Sequence, residues 1–454
     1  MAAHLYYNAQ IVNEGTVTPG WLFTEGRMIA GVGPTDPVTV ELLRRSPGVV
    51  AHDCQGRYIV PGVIDTHVHF RDPGLTEKAD MATESAAAKA GGVTSFVDMP
   101  NTKPDTVSRA ELRHKMEIAA EKSVINYGFF IGATNDNLPE LLLTDFTEAA
   151  GIKLFLGSST GNMLVDSDST LSQLFAQAPA LIAVHAEDEA IINAAKARLQ
   201  AEYPDGIPVE LHPEVRPREA CIAATRHAIA LAEATGARLH VCHISTADEL
   251  RLIADAKARG VKVTAETCPQ YLLFDRNDFE RLGARIKCNP AIKDPSDRIA
   301  LIRELRPGGV IDSIATDHAP HLLAQKQGNA LTAASGMPMI QFSLPAVLDL
   351  VDTDPEAEGL GLGIAQVVEL MCHAPARIFG IDRRGFLKVD HYADFAILEP
   401  VPLPGLKVTD EAVVSRCGWT PLAGRSLSWR VVSTVVNGGE GPMPLKFSAS
   451  SPQC

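Results

Sequence analysis

Short apolar, β-rich runs alternate with helix-forming stretches through the middle of the chain. Eight such runs stand out: VIDTHVHF (63–70), TSFVDMP (94–100), INYGFFI (125–131), IKLFLG (152–157), LIAVHAE (181–187), RLHVCHIS (238–245), VTAETCP (263–269) and VIDSIATDHAP (310–320). Helical patterns lie between most of them and stop at glycine. EKADMATESAAAKA ends at Gly91-Gly92, and EACIAATRHAIALAEAT ends at Gly236, where glycine closes a helix without a Cβ penalty. Strand–helix alternation repeated this often predicts an α/β protein with a parallel (β/α)8 barrel over residues 61–384.

The two ends carry a different pattern. Residues 1–60 and 385–454 hold short strands and turns, in NAQIVNEG, WLFTEGRMIAGVG, ADFAILEP and WRVVSTVVNGG. They predict one small β-sandwich built from both termini. GLGLG at 359–363 follows no strand, so it is a loop and not a dinucleotide fingerprint. The last stretch, GPMPLKFSASSPQC, has the character of a loose tail.

Composition changes this picture little. A chain of 454 residues, 46% apolar and 21% charged, is ordinary for a globular protein. The net charge of −14 argues against binding nucleic acid or an anionic membrane surface, which need cationic patches. It does not exclude a small anionic substrate, because one local positive site overrides a diffuse field. No stretch nears the roughly 18 apolar residues of a membrane span, and the start lacks the features of a signal peptide. A cytoplasmic protein is therefore expected. The eight cysteines, at 54, 221, 242, 268, 288, 372, 417 and 454, include no Cys-x-x-Cys pair. They are expected to be reduced, buried thiols rather than zinc ligands.

Barrel active sites lie at the C-terminal ends of the strands. The first run ends in Asp65-Thr-His67-Val-His69-Phe-Arg71. Residues two apart on a strand share a side, so His67 and His69, about 7 Å apart, either converge on one metal or pair as core histidines. Lys153, His185, His243 and Asp317 stand near the ends of the fourth, fifth, sixth and eighth runs. Taken singly, Lys153 pairs with Asp317 and His185 is a hydrogen-bonded core imidazole. Taken together, six such groups from five strands in one mouth point to a metal site, because buried charge is costly unless paired or metal-bound.

The motifs carry a resemblance. PGVIDTHVHFRDPGLTEKADMATES and AGGVTSFVDMPNTKPDT, spanning Pro61 to Thr106, resemble the dihydroorotase family, cyclic amidohydrolases of the amidohydrolase superfamily. GIKLFLGSSTGNML, HPEVRPREAC, LHVCHIST, IKCNPAIK and IATDHAPH extend the likeness over nearly the whole chain. It implies two zinc ions per subunit. His67, His69 and Asp317 would bind the first, His185 and His243 the second, and Lys153 would bridge both as its carbamate. A free lysine repels zinc, whereas its carbamate is an anion with two oxygens. The implied reaction is the reversible hydrolysis of dihydroorotate to N-carbamoyl-L-aspartate in pyrimidine biosynthesis, with Asp317 as general acid and base. Arg71 offers the planar fork that suits a carboxylate. Asn101 and His321 resemble further carboxylate contacts, and Asn289, Ser335 and Gly336 resemble ring contacts.

His240 is expected to point to the opposite side from His243, His318 to point away from the metals, and His373 to be structural; His212 has no assigned role. A homodimer is the family's expectation. IKCNPAIK, SGMPMIQ and His373 depart from common family wording, which weakens the Ser335-Gly336 assignment most. Rival readings are an allantoinase or hydantoinase, and a non-catalytic homologue serving as a partner protein.

Overall fold

All eight runs become parallel strands. In the computed structural model, which describes residues 2–157 and 163–448, they are β1 (Val63–Val68), β2 (Val93–Asp98), β3 (Asn126–Phe129), β4 (Ile152–Phe155), β5 (Ile182–His185), β6 (Leu239–Val241), β7 (Val263–Thr267) and β8 (Ser313–Ile314). β1, β2 and β3 form one sheet, and β4 to β8 another. Ile131–Gly132, just past β3, pairs with β4 at Ile152 and Lys153 and joins the two. Val68 bridges His318, and the His69 amide donates to the His318 carbonyl at 2.8 Å, which closes β8 onto β1. A second link lies deeper, where the Thr316 amide and hydroxyl donate to the Asp65 carboxylate at 3.0 and 2.6 Å. Every residue of β1 to β5 is buried. Helices cover one face of a parallel barrel and its own core fills the other, so even the polar residues of these strands, such as Asp65, His67 and Asp98, are buried.

The helices begin and end where side-chain chemistry dictates. Met81–Ala90 starts at Asp80, which accepts from the Thr83 amide while Thr83 answers with its hydroxyl, satisfying two orphan end groups. Arg218–Thr235 stops at Gly236, held at φ +75°. No helix among the described residues is long and apolar enough to cross a membrane.

Both termini meet in one seven-stranded sheet. Ala3–Asn13 is central, flanked by Thr16–Glu25 on one side and by Val49–Asp53 and Tyr58–Pro61 on the other. Phe395–Pro400 pairs antiparallel with Tyr58–Pro61, and Trp429–Val435 pairs with Phe395–Pro400. The stretch between those last two strands leaves the sheet and packs on the barrel. There Trp419 is fully buried, and Arg285 pairs with Asp410 at 2.7 Å.

The expected loose tail is not loose over the residues described. Leu445 and Phe447 are buried, and the Leu445 amide donates to Tyr127 at the end of the barrel remote from the strand mouths. Two apolar side chains in the first half of the stretch dock it. The seven cysteines described are buried and unpaired, as expected. Cys454 and residues 158–162 of the GIKLFLGSSTGNML motif lie outside the described residues.

Candidate active site

The strand ends gather the predicted residues into one recess. Ten of the twelve line it: His67, His69, Arg71, Lys153, His185, His243, Asn289, Asp317, Ser335 and Gly336. The other two stand directly behind it, Asn101 against His69 and His321 against Arg71.

His67 and His69 face the same side, with ring centroids 5.6 Å apart. The His67 Nδ1 lies 2.7 Å from Glu266 Oε1, and the His69 Nδ1 lies 2.8 Å from Asn101 Oδ1. Both partners are acceptors, so both Nδ1 atoms carry the proton. Each Nε2 lone pair then turns toward Asp317 Oδ1, at 3.4 and 3.0 Å. Burial, then the Lys153 charge, holds the His67 imidazole below its ordinary pKa; burial and Arg71 hold His69 well below. Two neutral lone pairs and a carboxylate oxygen thus converge without a proton among them. This cluster of acceptors fits a cation, and the three ligand atoms lie within 4.8 Å of one another.

A second pair stands beside the first. The His185 Nδ1 is 2.8 Å from the His243 Nε2, and the His185 Nε2 donates to Glu187 Oε2 at 2.9 Å. Arg216 clamps Glu187 from behind, at 2.6 Å. Each candidate ligand histidine on β1 and β5 is therefore oriented through its other nitrogen, the usual arrangement around a bound metal. Lys153 is fully buried. Its Nζ lies 3.2 Å from Cys242 Sγ and 5.2 Å from the Phe155 ring centre, and it forms no ion pair with Asp317 or any other carboxylate among the described residues. The donor set of His67, His69 and Asp317 fits a cation, with the His185–His243 pair and Lys153 beside it in the same recess.

Three of these residues sit in the left-handed backbone region: Arg71 at φ +66°, His243 at +40° and Asp317 at +46°. Such conformations cost on the order of 1–3 kcal/mol each and persist where the surroundings impose them, most often at functional sites. One of the imposing contacts is visible. Asp98, ion-paired to buried Lys115 at 2.5 Å, accepts from the Phe70 amide at 2.7 Å and fixes the chain just before Arg71.

The substrate side carries unspent polar capacity. Arg71 is buried, donates through Nε to the Pro320 carbonyl at 3.2 Å, and has Nη2 3.1 Å from His321 Nε2. It forms no direct ion pair among the described residues, and burial pulls its pKa down to about 10 against the opposing pull of the Asp317, Asp98 and Glu84 carboxylates. Burial and Arg71 push His321 down to about 2, so it is neutral, and its Nδ1 has no partner. The Asn289 Oδ1 is likewise buried without a hydrogen-bond partner among the described residues. Gly336, at φ +129°, has no room for a side chain: a Cβ would lie 2.7 Å from the Ala319 carbonyl oxygen. Gly336→Ala is therefore expected to lower kcat/KM by at least roughly tenfold, because strain and overlap together displace the recess wall. Steady-state kinetics beside a circular-dichroism spectrum checks this.

The other histidines sort as follows. His318 donates to Glu84 at 2.7 Å and accepts from the Met339 amide, away from the recess. His373 accepts from the Glu14 amide and donates to the Gly385 carbonyl, joining terminal sheet to barrel. His212 is buried outside the recess lining, with an unpartnered Nδ1. His240 departs from expectation. Rather than pointing away, its Nε2 comes within 3.3 Å of Glu266, the carboxylate that also holds His67. Strict alternation along β6 fails because the chain enters the left-handed region at His243. Glu266 and Glu187 are the functional partners that the motif reading missed. Their signal was present: Glu266 is a buried carboxylate inside β7, and Glu187 is one just past the end of β5.

The comparisons with known proteins agree with this geometry. The model of the Amidohydrolase family matches residues 58–440. An allantoinase of Streptomyces avermitilis is 36% identical over 396 residues, covering 86% of this chain and 86% of its own. A dihydroorotase of Methanosarcina mazei is 32% identical over 432 residues, covering 92% and 89%. Among solved structures, the L-hydantoinase (dihydropyrimidinase) of Arthrobacter aurescens superposes with a TM-score of 0.89 at 27% identity, over 98% of both chains. A closed barrel, its cation-ready cluster and this family match lead to one statement: the chain belongs to the amidohydrolase family, as a metal-dependent cyclic amidohydrolase.

Proposed function

We propose that this chain is a dihydroorotase, catalysing the reversible hydrolysis of (S)-dihydroorotate to N-carbamoyl-L-aspartate in pyrimidine biosynthesis. The catalytic unit is the barrel of residues 61–384, flanked by a smaller unit from 1–60 and 385–454. One observation carries the reading: Arg71 is a buried guanidinium at the recess that forms no direct ion pair among the described residues. Dihydroorotate brings a carboxylate on its ring. Allantoin, a hydantoin or dihydrouracil brings none, so no substrate charge meets the buried guanidinium. The likeness to an allantoinase and a hydantoinase carries the alternative, a neutral ring on the same metals, and Arg71 is what separates the two. A non-catalytic partner protein is disfavoured because all six ligand positions hold ligand-type residues.

His67, His69 and Asp317 would hold one Zn²⁺, His185 and His243 a second, and Lys153 would join them as its carbamate. Zinc bound there lowers the pKa of water toward neutrality and polarises a carbonyl. Asp317 takes the proton of the attacking water and returns it to the leaving ring nitrogen. Burial raises its proton affinity, which suits the accepting step. Arg71 holds the ring carboxylate, and the unpartnered Asn289 Oδ1 accepts a ring N–H.

Hydrolysis creates a second carboxylate and releases a proton, so ring closure consumes one. Metal-loaded protein given N-carbamoyl-L-aspartate is therefore expected to form more dihydroorotate as pH falls. Ring formation that grows with rising pH, or no interconversion at any pH, would refute the reading.

A further inference from the structure

Two buried lysines stand beside the recess and pair with no carboxylate among the described residues. Lys326 Nζ donates to three backbone carbonyls: Lys287 at 2.9 Å, Ala334 at 2.7 Å and Gly336 at 2.7 Å. An ammonium has three N–H groups, so all are used. Lys287 Nζ donates to the Ala333 carbonyl and to Ser335 Oγ at 2.9 Å, and the Lys287 carbonyl also accepts from the Gly336 amide. The segment beyond β7 that carries Asn289 is thereby stitched to the loop beyond β8 that carries Ser335 and Gly336. Trp419 backs the same junction: its indole N–H donates to the His321 carbonyl at 2.7 Å, and its ring lies 5.8 Å from the Lys326 ammonium.

A buried ammonium satisfied only by neutral carbonyls is an expensive way to tie two loops. Burial weakens its hold on its proton, bringing Lys326 down to about 7 and Lys287 to about 8. A neutral hydrogen-bonding side chain would join the loops with less desolvation. What the lysine adds is a third donor at a junction of three carbonyls, and a positive charge beside the wall where Arg71 stands.

We propose that Lys326 is a positioning residue: its ammonium locks the Asn289 segment to the Ser335–Gly336 loop and so sets the wall against which the substrate ring seats. The role rests on the recess being the cyclic-amide site, but not on which cyclic amide fills it.

The test uses full-length, metal-loaded protein and whichever of dihydroorotate, allantoin and dihydrouracil the wild type turns over best. Lys326→Met keeps the aliphatic stem and removes all three donors. It is expected to raise KM about tenfold or more through lost pre-organisation, with kcat within about threefold of wild type and metal content unchanged. Trp419→Phe, which removes the indole N–H to the His321 carbonyl and shrinks the buried ring behind the junction, is expected to raise KM in the same direction by a smaller factor, and decides the matter if Lys326→Met fails to fold. Hydrogen exchange gives a readout independent of turnover: amides of residues 334–336 should exchange faster in the variant, without faster exchange across β1 to β6. A folded variant with KM within twofold of wild type and unchanged exchange in that loop would overturn the proposal. A wild type that turns over none of the three compounds would instead count against the assigned reaction, and the exchange result would still judge the lysine.

Discussion

Asp317→Asn is expected to lower kcat by roughly 10³-fold while leaving the protein folded. Asparagine matches aspartate in shape and tolerates the left-handed backbone that Asp317 adopts at φ +46°. Its amide oxygen still faces the His67 and His69 nitrogens. What it cannot do is take up a proton, and proton transfer from water to the leaving nitrogen is the role given to Asp317. The change should therefore fall on kcat more than on KM. A variant whose kcat stays within about tenfold of wild type would move the proton shuttle to another group, because general acid–base catalysis is worth more than that.

Arg71→Met should produce the second large effect, and a selective one. The methionine keeps an apolar stem in the buried channel but removes the charge that meets the ring carboxylate. Leaving a buried carboxylate unpaired costs about 2–5 kcal/mol, so kcat/KM for dihydroorotate should fall by roughly 10² to 10³. Turnover of a neutral ring such as dihydrouracil should not fall with it, since that ring gains nothing from the guanidinium. Equal losses on both substrates, measured side by side, would mean that Arg71 merely braces the Pro320 and His321 loop.

Much of the architecture was legible in the residues because barrel strands are covered on both faces. The eight runs are rich in β-branched and apolar residues, and the helix patterns read before Gly91 and Gly236 do stop at those glycines. The metal half of the site was legible for a related reason. His67, His69, Lys153, His185, His243 and Asp317 are polar groups placed near strand ends, and the fold gathers all six around one recess. Other features depended on long-range geometry. Alternation put His240 on the wrong side because it assumes extended backbone, which His243 breaks at φ +40°. Asn101 could be placed near the mouth, yet only the folded chain brings its oxygen to His69. The Lys326 junction joins segments from two strand ends and a distant C-terminal strap, so no local motif announces it. Substrate choice is the least legible of all, because an allantoinase and a dihydroorotase are both about one-third identical to this chain.

That choice is also the most direct point of attack. The decisive measurement is kcat/KM of the metal-loaded protein for (S)-dihydroorotate, allantoin and dihydrouracil under one set of conditions. A site that leaves a buried guanidinium waiting for a carboxylate should prefer dihydroorotate by about 100-fold or more. A preference for allantoin or dihydrouracil would contradict it.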